Sequence, residues 1–207
     1  LLDMIDSFDF PRPYPILSAK VNNVGQGLKY RAFNNRGVEF LDYRSYAGRS
    51  VYCRSLCFLL CKAAKDLYPG CKIILRRPIS KGYFCSISKQ DGTVFSEDDL
   101  TAVRDRMNEI VQKDIPFRRH EVRLDEAIEL FSSLGYSDKV KLLQTSSDVY
   151  VNYYTLEDTP DYYYDALVAS TGYLKVWSLT SYRGGLLLRV PDRHHPEQLA
   201  PFVEQPK

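Results

Sequence analysis

Apolar positions along the chain change their period several times, and each change marks an element. Leu1, Leu2, Met4, Ile5 and Phe8 fall at helical spacing, so the sequence opens inside an amphipathic helix. Pro11, Pro13 and Pro15 then forbid helix and favour extended backbone. Ile16–Val21 reads as a strand, and Asn22-Asn23 with Gly25 and Gly27 supplies turn chemistry. Leu28–Phe33 and Val38–Leu41 read as further short strands. A helix wrapped by short strands predicts a partial β-grasp unit over residues 1–47, whose first hairpin would lie before Leu1.

From Arg49 the period turns helical again. Val51, Leu56, Leu59, Leu60, Ala63, Ala64 and Leu67 form one stripe, stopped by Pro69-Gly70. Cys71–Leu75 and Gly82–Ile87 read as strands around a turn at Ser80-Lys81. Ser96 stands three residues before Asp99, at capping-box spacing, and Leu100, Val103, Met107, Ile110 and Val111 then line one helix face. Phe117–Val122 is strand-like, and Asp125–Leu134 is a helix with Gly135 placed to end it. Val149–Leu156, Tyr162–Val168, Leu174–Leu179 and Gly185–Val190 make the remainder β-rich. The expected fold class is α+β, in a unit over 1–47, a larger one over 48–190, and a Pro-rich tail or linker over 191–207. An opening inside a helix and this tail suggest an excerpt from a longer protein.

Composition narrows the picture without naming a function. With 44% apolar and 26% charged residues, the chain is globular in character. No apolar run approaches the ~18 residues of a membrane span, so a cytoplasmic, membrane-free protein is expected. A net charge of +2 argues against a dedicated electrostatic nucleic-acid binder. The five cysteines form no C-x-x-C and do not suggest a secreted disulfide framework. Cys53, Cys57 and Cys61 share a helix face, either as packing groups or as soft-metal ligands.

Ala47-Gly48-Arg49-Ser50-Val51-Tyr52-Cys53-Arg54-Ser55, followed by Lys62-Ala63-Ala64-Lys65-Asp66-Leu67-Tyr68-Pro69, resembles the editing-type second domain of threonyl-tRNA synthetases. Gly82-Tyr83-Phe84, Met107-Asn108-Glu109-Ile110, Pro116-Phe117-Arg118-Arg119, Glu126-Ala127 and Asp138-Lys139-Val140 continue the likeness in order. Upstream, Ala19-Lys20-Val21-Asn22-Asn23 resembles the ubiquitin-like TGS domain that precedes it in those enzymes. A second resemblance is to the N-terminal half of a bacterial uridine or nucleoside kinase family, carried by Ile79-Ser80-Lys81-Gly82-Tyr83-Phe84-Cys85, Tyr153-Tyr154-Thr155-Leu156, Asp161-Tyr162-Tyr163-Tyr164 and Ser170-Thr171-Gly172-Tyr173. It implies a downstream P-loop kinase domain that uses ATP and Mg²⁺. These residues hold no G-x-x-x-x-G-K-[ST], so this chain by itself is expected to phosphorylate nothing and to need no cofactor.

The synthetase resemblance implies an H-x-x-x-H helix and a later C-x-x-x-H as the lone-pair donors of editing. In register through Leu67-Tyr68-Pro69, these fall on Arg54 and Phe58, and on Tyr163 and Leu167. Arg, Phe and Leu offer no such lone pair, which implies a degenerate editing fold without catalytic residues or metal. Lys139 and Asp161 correspond to two further polar positions of that site. Arg54, Lys139, Asp161 and Tyr163 are therefore the candidate pocket, with an anionic small molecule as the expected ligand. The bland alternatives are a salt-bridged Arg54 and a structural Lys139–Asp161 pair. The leading expectation is a non-catalytic binding or regulatory region of a kinase. The runner-up is an RNA-binding or aminoacyl-tRNA editing-like module, with RNA the less favoured partner. The tyrosine-rich strands could stack bases, but adjacent strand residues face opposite sides, so half should pack inward.

Overall fold

The computed structural model describes residues 1–7, 9 and 11–204, so Phe8 of the opening stripe lies outside the described residues, as does the side chain of Arg77. The fold is α+β. After helix α1 (Leu2–Ser7), strands β1 (Ile16–Val21), β2 (Val24–Gln26) and β3 (Val38–Asp42) form an antiparallel sheet in the order β2-β1-β3. Asn22 and Asn23 both take positive φ, 48° and 66°, and pair Val21 with Val24 across a two-residue hairpin. The segment read as turn chemistry thus contains a strand. Leu28–Phe33, expected to be a strand, runs without regular structure, and Leu28 is buried against Ile5 and Ala169.

Helix α2 (Tyr46–Leu67) is the axis of the molecule. Ser45 caps it by accepting from the Gly48 N–H at 3.0 Å. A Cβ on Gly48 would collide with the Asp42 carbonyl, so glycine lets the helix start close against the end of β3. Leu56, Phe58, Leu59, Leu60, Ala63 and Ala64 are all fully buried. A helix apolar on so many sides must be covered on several faces. Cys85, Ile87, Leu186 and Leu188 cover it from the sheet β4-β5-β10-β9. That sheet joins β4 (Lys72–Ile79), β5 (Gly82–Ser88), β9 (Ser178–Tyr182) and β10 (Gly185–Arg189). Leu100, Val103, Met107 and Ile110 of α3 (Glu97–Gln112) join the same core. The expected capping box is present: Asp99 N–H donates to Ser96 Oγ at 3.2 Å, and Ser96 N–H donates to Asp99 Oδ2 at 2.7 Å.

β4 runs through Arg76-Arg77-Pro78 rather than stopping at Leu75, because a register shift between Leu75 and Pro78 absorbs the proline on an edge strand. The third sheet, β6 (Phe117–Arg123), β7 (Tyr150–Leu156) and β8 (Thr159–Asp161), has two buried faces. Phe117, Tyr154 and Leu156 face the α2 core. Val122, Val151 and Tyr153 face a second cluster built on Ala127, Phe131 and Leu143. Those last three come from α4 (Leu124–Ser133) and α5 (Ser137–Gln144). Gly135 follows α4 at φ 74°, as its helix-ending role requires.

Two strand expectations are displaced. Tyr162–Val168 is irregular, because its neighbourhood is tied down by side chains of α2 instead of a strand ladder: Val168 N–H donates to Ser55 Oγ at 2.9 Å. Leu174–Leu179 likewise gives way to β9, while Tyr52 Oη donates to the Val176 carbonyl at 2.9 Å. The segment after Val190 returns across the four-stranded sheet. Ala200 is buried, and Val203 N–H donates to Ser80 Oγ at 2.6 Å. Among the described residues no helix is long and apolar enough to cross a membrane.

Candidate functional site

Three of the four candidate residues meet. Lys139, on α5, places its Nζ 2.9 Å from Asp161 Oδ1 at the end of β8 and 5.7 Å from the centre of the Tyr163 ring. Asp161 is 5% exposed, and its carboxylate also accepts from the Tyr162 N–H at 2.8 Å. Burial pushes the Tyr163 hydroxyl well above its usual range, and the Asp161 carboxylate beside it adds to the rise. Lys139 is pulled down by burial, but the Asp161 charge and hydrogen bond outweigh this and leave it raised. The cluster is thus a charge-neutral pair under an aromatic ring.

Arg54 takes no part in that pair. It sits one turn before Phe58 on α2, with Nη1 3.1 Å from Asp165 Oδ2 and Nη2 donating to the Ala166 carbonyl at 3.1 Å. The bland reading, a salt-bridged arginine, describes those contacts. Phe58 packs its ring 5.5 Å from that of Tyr163 and 5.7 Å from that of Phe117. Two of the four lone-pair positions implied by the synthetase resemblance are therefore neighbouring rings. Leu167, a third, is buried in the same core.

Cys61, one of the three cysteines read as sharing a helix face, is a further neighbour of the pair. Burial, with a smaller contribution from the Asp161 charge, pushes its thiol up to about 12. Burial also raises Cys53 and Cys57. Protonated thiols are poor metal ligands. Among the described residues no group of three or more His, Cys, Asp or Glu is placed to hold a metal ion. The i, i+4 spacing from Cys57 was the available signal, but only the return of Asp161 in space gives Cys61 an acidic neighbour.

Two clefts lie elsewhere. One, of about 430 Å³, borders the β9–β10 hairpin and is lined by Phe95, Glu97, Tyr182 and Arg183 among others. The other, of about 460 Å³, lies between residues 27–30 of the N-terminal unit, the start of β6 and residues 167–169. Lys29, Arg118, Arg119, His120 and Tyr154 line it. Lys29 Nζ donates to the Phe117 carbonyl at 2.9 Å, a contact across 88 positions of sequence.

No family model matches the chain. A threonine–tRNA ligase of Desulforamulus reducens is 30% identical over 169 residues, covering 81% of this chain and 26% of that protein. Another, from Syntrophotalea carbinolica, is 31% identical over 178 residues, covering 78% and 28%. One from Rubrobacter xylanophilus is 33% identical over 147 residues, covering 71% and 22%. The chain is similar to one region of threonine–tRNA ligases. The chain spans about a quarter of the length of the curated relatives it matches. These relatives lend nothing to a nucleoside kinase parent. In this chain, Lys139 and Asp161 are paired, and Phe58 and Tyr163 close ring on ring beside them.

Proposed function

We propose that this chain is a non-hydrolytic, synthetase-related binding module of a longer protein. The observation that carries the reading is the ring contact of Phe58 with Tyr163, 5.5 Å between centres, at two positions where the family resemblance calls for lone-pair donors. Water activation needs a group that can accept a proton near neutral pH, or a metal. A phenol raised by burial, a neutral ring and a paired lysine supply neither. The similarity to threonine–tRNA ligases supports a module that once met, or still meets, an aminoacyl-tRNA. A parent kinase with ATP and Mg²⁺ bound downstream finds no comparable support.

The test is hydrolysis of seryl- and threonyl-tRNA by the full chain, against blank and against Tyr163→Phe and Lys139→Met variants. The expected result is release at the blank rate for all three. Release by the wild type that either substitution abolishes overturns the reading.

A further inference from the structure

The cleft between the N-terminal unit and β6 gathers three cations that form no ion pair among the described residues. Lys29, Arg118 and Arg119 line it together, and among the described residues their side chains hydrogen-bond only to neutral oxygens, the Phe117 carbonyl and Asn152 Oδ1. The Arg119 bond uses Nε, at 2.8 Å from Asn152, which leaves both terminal nitrogens free to form a fork. Lys29 keeps two donors beyond the one spent on Phe117. Burial first and then the neighbouring Arg118 charge push the Lys29 ammonium down, and the Asp114 carboxylate offsets only part of this. Two lysines that are more deeply buried are matched by carboxylates. Lys62 meets Asp66, Glu157 and Asp158, and Lys139 meets Asp161.

The rest of the lining is apolar or aromatic. Leu28, Tyr30, Tyr154, Leu167 and Val168 border the cleft, and the His120 ring stacks on Tyr153 at 4.8 Å on the far side of the strand. A volume of about 460 Å³ lies within the range of small-molecule sites. A protein of net charge +2 lacks the excess of positive charge that many phosphate contacts along a nucleic acid require.

We infer that this cleft binds a phosphomonoester carried on an aromatic, nucleoside-sized body, with Arg119 and Lys29 holding the phosphate and Arg118, on the other face of the edge strand β6, adding charge at the rim. The site does not include Lys139 or Asp161, and it stands whether or not the chain hydrolyses aminoacyl-tRNA. The phosphate could belong to a free nucleotide or to the end of an RNA strand, and the experiment separates the two.

Calorimetric titration of the full chain with UMP, uridine, and one oligoribonucleotide with and without a 5′-phosphate tests it. The expected result is binding of UMP or of the 5′-phosphorylated strand about tenfold or more tighter than the matching unphosphorylated probe. UMP alone showing the preference assigns a free nucleotide, and the strand alone showing it assigns an RNA end. Arg118→Ala/Arg119→Ala, on exposed side chains, is expected to lose about tenfold or more while keeping the wild-type melting curve. Lys29→Gln provides a second reading of the same loss. Equal binding with and without the phosphate overturns the inference. So does an unchanged affinity in both variants, or no binding of any probe at millimolar concentration.

Discussion

The Lys139 cluster and the Lys29 cleft are both built from groups that the chain brings together from distant positions, yet their cations end in opposite states. In the first, a single carboxylate at 2.9 Å and a ring contact between Phe58 and Tyr163 leave the charges matched and the rings packed. In the second, three cations face solvent space and, among the described residues, form no ion pair, with Asp114 acting on Lys29 only from a distance. Matching is what a fold does when a charge serves stability, since an unpaired buried charge is costly. Charge left unmatched at a concave surface serves an incoming anion. The contrast shows that chemistry inherited by position and chemistry available for binding need not coincide.

The strongest way to break this contrast is to open the packed side. Phe58 is fully buried, so Phe58→Ala is expected to cost about 4 kcal/mol in urea unfolding. A loss below about 1 kcal/mol, within the range of a surface change, would mean that the rings fill nothing. Next comes the pair. Asp161→Ala strands Lys139 beside an aromatic ring, and an expected loss of about 3 kcal/mol follows from removing one partner of a mostly buried pair. Stability equal to wild type would place the two groups in free exchange with water.

A pH series sharpens the same point. Lys139 and Tyr163 are both raised in the folded state, so the fold prefers their protonated forms. Their contribution is therefore complete below the unfolded values, about 10 for each type. It is lost as pH rises above that. Chemical denaturation between neutral pH and pH ~11 should show this fall. It should be shallower in Tyr163→Phe, and an identical slope in both proteins would deny the coupling. The smallest effect belongs to the open side. Arg118→Ala should change unfolding free energy by no more than about 0.5 kcal/mol, because its side chain is exposed and forms no ion pair among the described residues. A larger loss would reveal a structural tie.

Local rules made much of this fold legible. The stripe of α2, the Ser96–Asp99 box and the Gly135 terminus all rest on interactions within a few residues, and each is present. The alternation argument also held on β7, where Tyr153 and Tyr154 enter different cores. Failures came where tertiary contacts decide. Val24–Gln26 is too short to show a period, and its strand exists because an Asn-Asn turn folds it onto β1. Helix α5 has only eight residues and is held by its contacts with α4, so Asp138 to Leu143 gave no helical signal of their own. Residues 162–168 have strand-like composition but take their hydrogen bonds from α2. At the site, Lys139, Asp161 and Tyr163 were readable through family resemblance. The cleft was not, because Lys29 and Phe117 meet only in space.

The kinked run of β4 bears on how copies of this protein meet one another. β4 and β9 are the two outer strands of the four-stranded sheet, and outer strands invite pairing with a second chain. Ile74 and Leu75 on β4 are more than a third exposed, which would make that margin adhesive. The register shift between Leu75 and Pro78 breaks the row of donors there, and proline has no N–H to offer. Exposed Lys72 and Arg76 add like charge along the same margin, so two molecules approaching edge to edge repel before they can zip. At the opposite margin Ser181 of β9 is engaged by Glu97 from the start of α3. A sheet guarded in this way can carry an apolar outer strand and still resist growing into a fibre.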